Sequence, residues 1–324
     1  MTTELSIALD RYDRHFPFFD GTAIPPPGFA LKPFQVGQSA RLKDGTDRHE
    51  EFLQGTYDVA EFSMSSFLMA KDQGYPIVGI PVFPRRLFSQ SQMWVHPDSS
   101  IQSASDLAGQ RVALSAFQTT LSLLAKGDLT FYYGVPWQSI QWKLTTREKI
   151  PLEHGPEVSV EFIGDRDRLG ERLHSGEIDA FFLPHPPHDV MIGRTPARRL
   201  FRDPEAEEDR YYADRGYFPI MHVVVIQEAV ADAYPDLPRA LMTTFHHAFD
   251  VAMGYYEDPN WSMLAGGRHY WELEQARFKG SPWTRGFNGN RANIEMMIRY
   301  AMDQGMVHSA LTPEALFHVS TWET

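Results

Sequence analysis

Short apolar runs alternate with amphipathic stretches along most of the chain, and that alternation confines it to α/β architectures with a largely parallel sheet. The runs are LSIAL (5–9), FALKPF (29–34), YDVAEF (57–62), PIVGIPVF (76–83), QMWVH (92–96), RVALS (111–115), SIQWKL (139–144), VSVEFI (158–163), IDAFFL (178–183) and IMHVVVI (220–226). Several are apolar on both faces, as buried parallel strands must be.

The intervening helices have legible ends. In NRANIEMMIRYAMDQG, Ile294, Met297, Ile298 and Ala301 recur at helical spacing, and Gly305 supplies the left-handed position that ends the helix. LTPEALF starts a short helix with Thr312 as N-cap and Pro313 behind it, and DLPRALMTTFHHAFDVAM starts in the same way at Asp236. Leu241, Phe245, Ala248, Phe249 and Ala252 then form one apolar face, while the adjacent His246 and His247 point in different directions and are expected on the surface or in packing. The acidic stretch 202–216 is expected to be a solvated helix starting at Asp203 and Pro204.

With 324 residues the chain can bury one large core, or two smaller ones in a bilobal molecule. No segment approaches the roughly 18 uninterrupted apolar residues of a membrane span, so no membrane partner is expected. The net charge of −12, from 30 basic and 42 acidic residues, repels phosphate backbones and argues against a nucleic-acid partner. An anionic ligand therefore has to meet locally placed arginines. The chain has no cysteine, which excludes disulfides, thiolate nucleophiles, cysteine-ligated zinc and iron–sulfur clusters. MTTELSIALDRYDRHF has no basic segment followed by an apolar core, so a cytoplasmic location is expected.

The familiar motifs fail. There is no GxGxxG, Walker A loop, GxSxG elbow or HExxH, and DRDRLG (165–170) stops matching a calcium loop at Leu169 and Gly176. What remains are polar residues just beyond apolar strands, where open α/β sheets bind ligands. Asp10, Arg11, Tyr12, Asp13, Arg14 and His15 follow the first strand, while Glu61, Ser63, Ser65 and Ser66 lie at a strand end and helix start. Arg85 and Arg86 follow another strand, and neighbours on an extended segment face opposite ways, so one of the two is expected to face inward. Gln118, Thr119 and Thr120 open a helix, and His185, His188 and His222 complete the set. Serine and threonine at helix starts often do no more than cap, and a histidine within an apolar strand such as His222 is as readily a satisfied core residue.

The chain resembles the 4,5-dihydroxyphthalate decarboxylases through RYDR (11–14), YDVAEFSMSSFLMA (57–70), IPVFPRRLF (80–88), DLAGQRVAL (106–114), GEIDA (176–180), YFPIMHVVVI (217–226) and NRANIE (290–295). DLAGQRV and GEIDA are widespread among binding-protein relatives; the second, third and sixth segments are far more specific. The resemblance implies a two-lobed α/β fold like the type 2 periplasmic binding proteins, each lobe a mixed, mostly parallel sheet flanked by helices, with a ligand cleft between the lobes. Residues 1–90 plus 218–324 would form lobe 1 and residues 91–217 lobe 2.

The implied reaction is cofactor-independent loss of CO2 from a hydroxylated aromatic acid. An ortho or para hydroxyl lets the ring take a proton at the carbon bearing the carboxylate before CO2 departs. The resemblance points to His222 as proton donor with His185 or His188 as second choice, and to Glu61 or Asp13 as acceptor of the phenolic proton. Arg11, Arg14, Arg85 and Arg86 become candidate anchors for carboxylate. Tyr12, Ser63, Ser65, Ser66, Gln118, Thr119 and His188 complete the expected substrate contacts.

The family commonly carries Arg-His-Ser where this chain has Ser89, Gln90 and Ser91, and an arginine where His185 precedes Pro186 and Pro187. Both departures imply a substrate less anionic than 4,5-dihydroxyphthalate. Two other readings stand beside this one: a non-catalytic, cytoplasmic sensor of a small aromatic acid, and a metal-assisted enzyme using His185, His188 and His222 with a carboxylate. Two histidines at i, i+3 separated by two prolines are unlike a helical ligand pair. A homo-oligomer is left open.

Overall fold

The structure is a computed structural model describing residues 2–37, 48–148 and 150–324. The chain divides into two compact units: Met1–Arg86, His222–Ile294 and Leu311–Thr324 form unit 1, while Leu87–Met221 and Glu295–Ala310 form unit 2. In chain order the strands are β1 (Thr3–Leu9), β2 (Phe29–Gln35), β3 (Val59–Ser63), β4 (Ile77–Arg86), β5 (Met93–Val95), β6 (Arg111–Leu114), β7 (Gln141–Leu144), β8 (Val160–Phe162), β9 (Ala180–Phe182), β10 (Arg198–Arg199) and β11 (Ile220–Gln227). All ten apolar runs form strands. The eleventh, β10, has no apolar pattern to betray it: Arg199 stacks its guanidinium 3.6 Å from the Trp94 ring, and Arg198 donates to the carbonyls of Pro97, Ser99 and Ile101.

The sheet of unit 1 has the order β2-β1-β3-β11-β4. β1 is parallel to β2 and β3, and β11 runs antiparallel to β3 with His222 opposite Ser63 and Val224 opposite Glu61. Leu5, Ile7, Leu9, Val59, Ile80, Val82, Val224 and Ile226 pack against Leu241, Phe245 and Ala248 of the helix Leu237–Tyr255. That helix keeps its expected apolar face but not its expected cap, because Asp236 already has helical dihedrals (φ −85°, ψ −15°) where a capping side chain needs an extended residue. Thr312, Thr119 and Asp203 do cap, accepting from the amides of Ala315, Ser122 and Ala206, and Gly305 is left-handed (φ +66°).

The sheet of unit 2 has the order β10-β5-β9-β6-β7-β8, with β9, β6, β7 and β8 parallel to one another and β5 antiparallel to β9. Both faces are covered. Val112, Leu114, Ala180 and Phe182 face one cluster with Ala125 and Leu129, while Ala113 and Phe181 on the opposite face meet Leu169 and Leu173. Glu295–Ala310 groups with this unit, whereas the expected lobe 1 ran through to the chain end. Side chains of that segment explain the difference. Tyr300 donates its hydroxyl to Asp128 Oδ1 at 3.0 Å, Gln304 donates to Leu123 O at 2.9 Å, and Asp303 accepts from Trp137 Nε1 at 2.8 Å. Tyr300 also lies so close to Gly127 that a Cβ there would come within 2.1 Å of its ring, so the helix Thr120–Phe131 needs glycine at that turn. Among the described residues no helix is long and apolar enough to cross a membrane.

Candidate active site

Glu61 occupies the centre of β3 and is fully buried. A carboxylate there has lost its water and must find donors from the protein. The sheet supplies them. Glu61 and Val224 are opposite on β3 and β11, so His222, two residues along, is the diagonal neighbour on the same face. Its Nδ1 meets Glu61 Oε1, which also accepts from the Tyr12 hydroxyl at 3.2 Å. Oε2 accepts from the Asp10 amide, just beyond β1, at 3.2 Å and from Arg48 Nη1 at 3.3 Å.

Four donors thus meet a group with about four lone-pair positions when ionised. Burial opposes the charge on Glu61, but Arg48 and His222 overcome it and hold its pKa well below the ordinary carboxylate range. An ionised carboxylate only accepts, so the Nδ1 of His222 carries the proton and Nε2 of the neutral ring is the basic nitrogen. Burial, with the charges of Arg85 and Arg48, pulls the His222 pKa down to about 4 against the upward pull of Glu61. The ring remains 12% exposed.

Two more histidines flank the pair and are held neutral. His15 donates Nδ1–H to Asp10 O at 2.8 Å, and burial takes its pKa down to about 4. His49 accepts the Ser63 amide on Nε2 at 3.2 Å, and burial drives its pKa well below the usual value. Burial, followed by the charge of Glu61, raises the Tyr12 phenol, so its proton stays in the bond to Glu61.

Tyr12, Glu61, Arg85 and His222 converge in unit 1; Arg85 is half-buried and acts electrostatically on both Tyr12 and His222. Its neighbour Arg86 is committed to structure. It is buried and donates to Asn290 Oδ1 at 2.6 Å and Thr284 O at 2.9 Å, because alternate residues of β4 face the other side of the sheet. Arg14 is also committed to structure: it donates to Pro84 O, pairs with Asp13 at 2.9 Å and stacks 4.1 Å from the Tyr12 ring. Asp13 accepts from Tyr256 as well. Arg11 is exposed and lies over Phe16 at 5.6 Å.

Ser63 is the N-cap residue of the helix Met64–Asp72 but makes no side-chain cap; its hydroxyl lies 3.1 Å from that of buried Ser65. Ser65 and half-buried Ser66 therefore sit inside the first turn rather than capping it.

The remaining candidates belong to unit 2. Gln118 is buried with both ends of its amide engaged by Ile150, at 2.9 and 3.2 Å. Thr119 caps the helix that follows. His185 is half-buried and its carbonyl accepts from Arg166, while His188 is exposed and opens the short helix His188–Met191 behind Pro187. Among the described residues no group of three histidine or acidic side chains is arranged to hold a metal ion. Arg48 and His49 were not foreseen, because they follow no apolar strand and RHEEF looks like an ordinary solvated helix.

The structure resembles that of the periplasmic aliphatic sulphonate binding protein SsuA from Escherichia coli, with a TM-score of 0.62 and 12% identity over the whole of both chains. Residues 40–131 match the family described as NMT1/THI5 like. The molecule is thus an α/β protein of the two-lobed, type 2 periplasmic-binding-protein-like class. It is 29% identical to the 4,5-dihydroxyphthalate decarboxylase of Comamonas testosteroni over 99% of this chain and 98% of that one. Against the Pseudomonas putida protein of the same name it is 29% identical over 66% of this chain and 83% of that one. Over nearly its whole length the chain is thus similar to a protein named 4,5-dihydroxyphthalate decarboxylase.

Proposed function

We propose that this protein is a carboxy-lyase that releases CO2 from a hydroxylated aromatic acid without a cofactor, and that His222 moves the proton. The observation that carries the reading is the buried Glu61 carboxylate, saturated by Tyr12, Asp10, Arg48 and His222. With every lone pair engaged, Glu61 suits holding His222 in one tautomer better than taking a proton from substrate. Nε2 of neutral His222 then acts first as a base, and the imidazolium it forms is stabilised by the adjacent carboxylate.

Arg85 anchors the substrate carboxylate. His222 takes up a proton, from the ring hydroxyl when that group is adjacent; otherwise the hydroxyl releases its proton to solvent and His222 takes one up from solvent, and in either case His222 delivers its proton to the ring carbon bearing the carboxylate. The ring electron pair forms the new C–H bond, leaving a keto-like intermediate. The C–C bond then breaks, CO2 departs, and its electron pair restores the aromatic ring. The likeness to a binding protein favours one other reading, a small-molecule binder without turnover. Incubation with a panel of hydroxybenzoates and dihydroxyphthalates, following CO2 release alongside thermal shift, separates the two. Turnover of at least one acid supports the lyase; stabilisation without turnover across the panel supports the binder.

A further inference from the structure

Unit 1 contains a cavity of about 530 Å³ that neither Glu61 nor His222 lines. Its size falls within the roughly 300–1,000 Å³ usual for small-molecule sites. The walls come from the end of the helix Leu237–Tyr255, from the helix Gly267–Phe278 and from the segment around Trp283. Phe249, Tyr256, Trp271 and Trp283 give it aromatic faces. This explains why Phe249, expected on the packed face of its helix, is only half-buried. Leu264 and Tyr270 stand at the wall with 67% and 65% of their surface exposed, an apolar margin that a bound hydrophobic molecule would cover.

The charges on the wall are largely matched among themselves. Asp13 pairs with Arg14 at 2.9 Å, and Asp250 pairs with Arg285 at 3.2 Å. Burial raises the pKa of Glu274, which disfavours its charged form. An anion entering here would have to separate an arginine from its acid. An uncharged ring meets aromatic faces instead, at no such cost. Trp271 adds a buried Nε1–H with no partner among the described residues, a donor for an oxygen on the ligand. Arg14, stacked 4.1 Å from the Tyr12 ring and 5.0 Å from the Trp283 ring, stands between this cavity and the Glu61 cluster.

We propose that the cavity is a second small-molecule site, selective for an uncharged aromatic compound of about two fused rings bearing a hydroxyl or carbonyl oxygen. This does not rest on the decarboxylase reading. The test is calorimetric titration of the full chain with 2-naphthol and with its anionic counterpart 2-naphthoate. The titration is repeated in Leu264→Asp, which changes an exposed side chain, in Met253→Trp, which fills the cavity, and in Glu61→Gln. The expected result is saturable 2-naphthol binding at one site, at least tenfold weaker with 2-naphthoate and in both cavity variants, and unchanged in Glu61→Gln. Absence of saturable 2-naphthol binding, equal or tighter binding of 2-naphthoate, or binding lost in Glu61→Gln but kept in both cavity variants would overturn it.

Discussion

The Nδ1 of His222 is bonded to a Glu61 carboxylate that has no lone pair left for anything else. This pair is the diagonal of two antiparallel strands, so its geometry is set by the sheet rather than by a loop. Glu61→Gln replaces an acceptor by a group that can donate and so releases the histidine tautomer. We expect kcat to fall by about 10²–10⁴, the usual worth of positioned acid–base catalysis, with a much smaller change in KM, measured by steady-state CO2 release.

The pH dependence has a definite sign. The His222 pKa is about 4 in the free protein, and the base form is the neutral one. The ratio kcat/KM should therefore rise with pH through about 4 and level off above it, apart from ionisation of the substrate. A rise centred near 6.5, the ordinary histidine value, would show that Glu61 outweighs burial.

Stability should respond to acid in the same direction. His15 is buried with a folded-state pKa of about 4, against about 6.5 when unfolded. The unfolded chain thus binds more protons between these values, and stability is lost as pH falls through that window. The slope is up to about 1.4 kcal/mol per pH unit for one such histidine. His15→Phe should reduce the measured slope by that amount in denaturant titrations between the two pKa values, whatever it does to stability at neutral pH.

The two adjacent arginines should separate cleanly. Arg85→Ala should raise KM for an aromatic acid tenfold or more while leaving the melting temperature nearly unchanged. Arg86→Ala removes the donor to Asn290 Oδ1, while Thr284 O keeps the one from Asn290 Nδ2; the loss is about 1–3 kcal/mol for the one buried acceptor and should appear as a lowered melting temperature.

Gly127→Ala places a Cβ within 2.1 Å of the Tyr300 ring. The expected loss is about 1–3 kcal/mol from overpacking, despite the better helix propensity of alanine. Chemical denaturation of the single variant, and of Gly127→Ala with Tyr300→Leu as partial rescue, checks it.

Ten of the eleven strands among the described residues were legible in the sequence because each lies in a largely apolar run, and Glu61 and His222 stood out as polar intrusions into such runs. The same criterion passed over Arg48, which reaches Glu61 only because the fold brings the helix Arg48–Leu53 against β3. Alternation predicted that one of Arg85 and Arg86 would face inward; which one depends on strand register and on Asn290, more than 200 positions away. β10 is held by guanidinium contacts rather than by a hydrophobic pattern, so periodicity could not find it. The grouping of Glu295–Ala310 rests on the hydrogen bonds of Tyr300, Asp303 and Gln304 and on the Tyr300 ring meeting Gly127, again a matter of contacts far apart in the chain.

The most direct test of the central claim is turnover of the hydroxylated aromatic acids in D2O by the wild-type protein and by His222→Ala, with the product read by NMR. We predict CO2 release with one deuteron on the carbon that lost the carboxylate, and a rate at least about a hundredfold lower in the variant. Turnover at an undiminished rate in His222→Ala, or release of CO2 without deuterium at that carbon, would contradict the account.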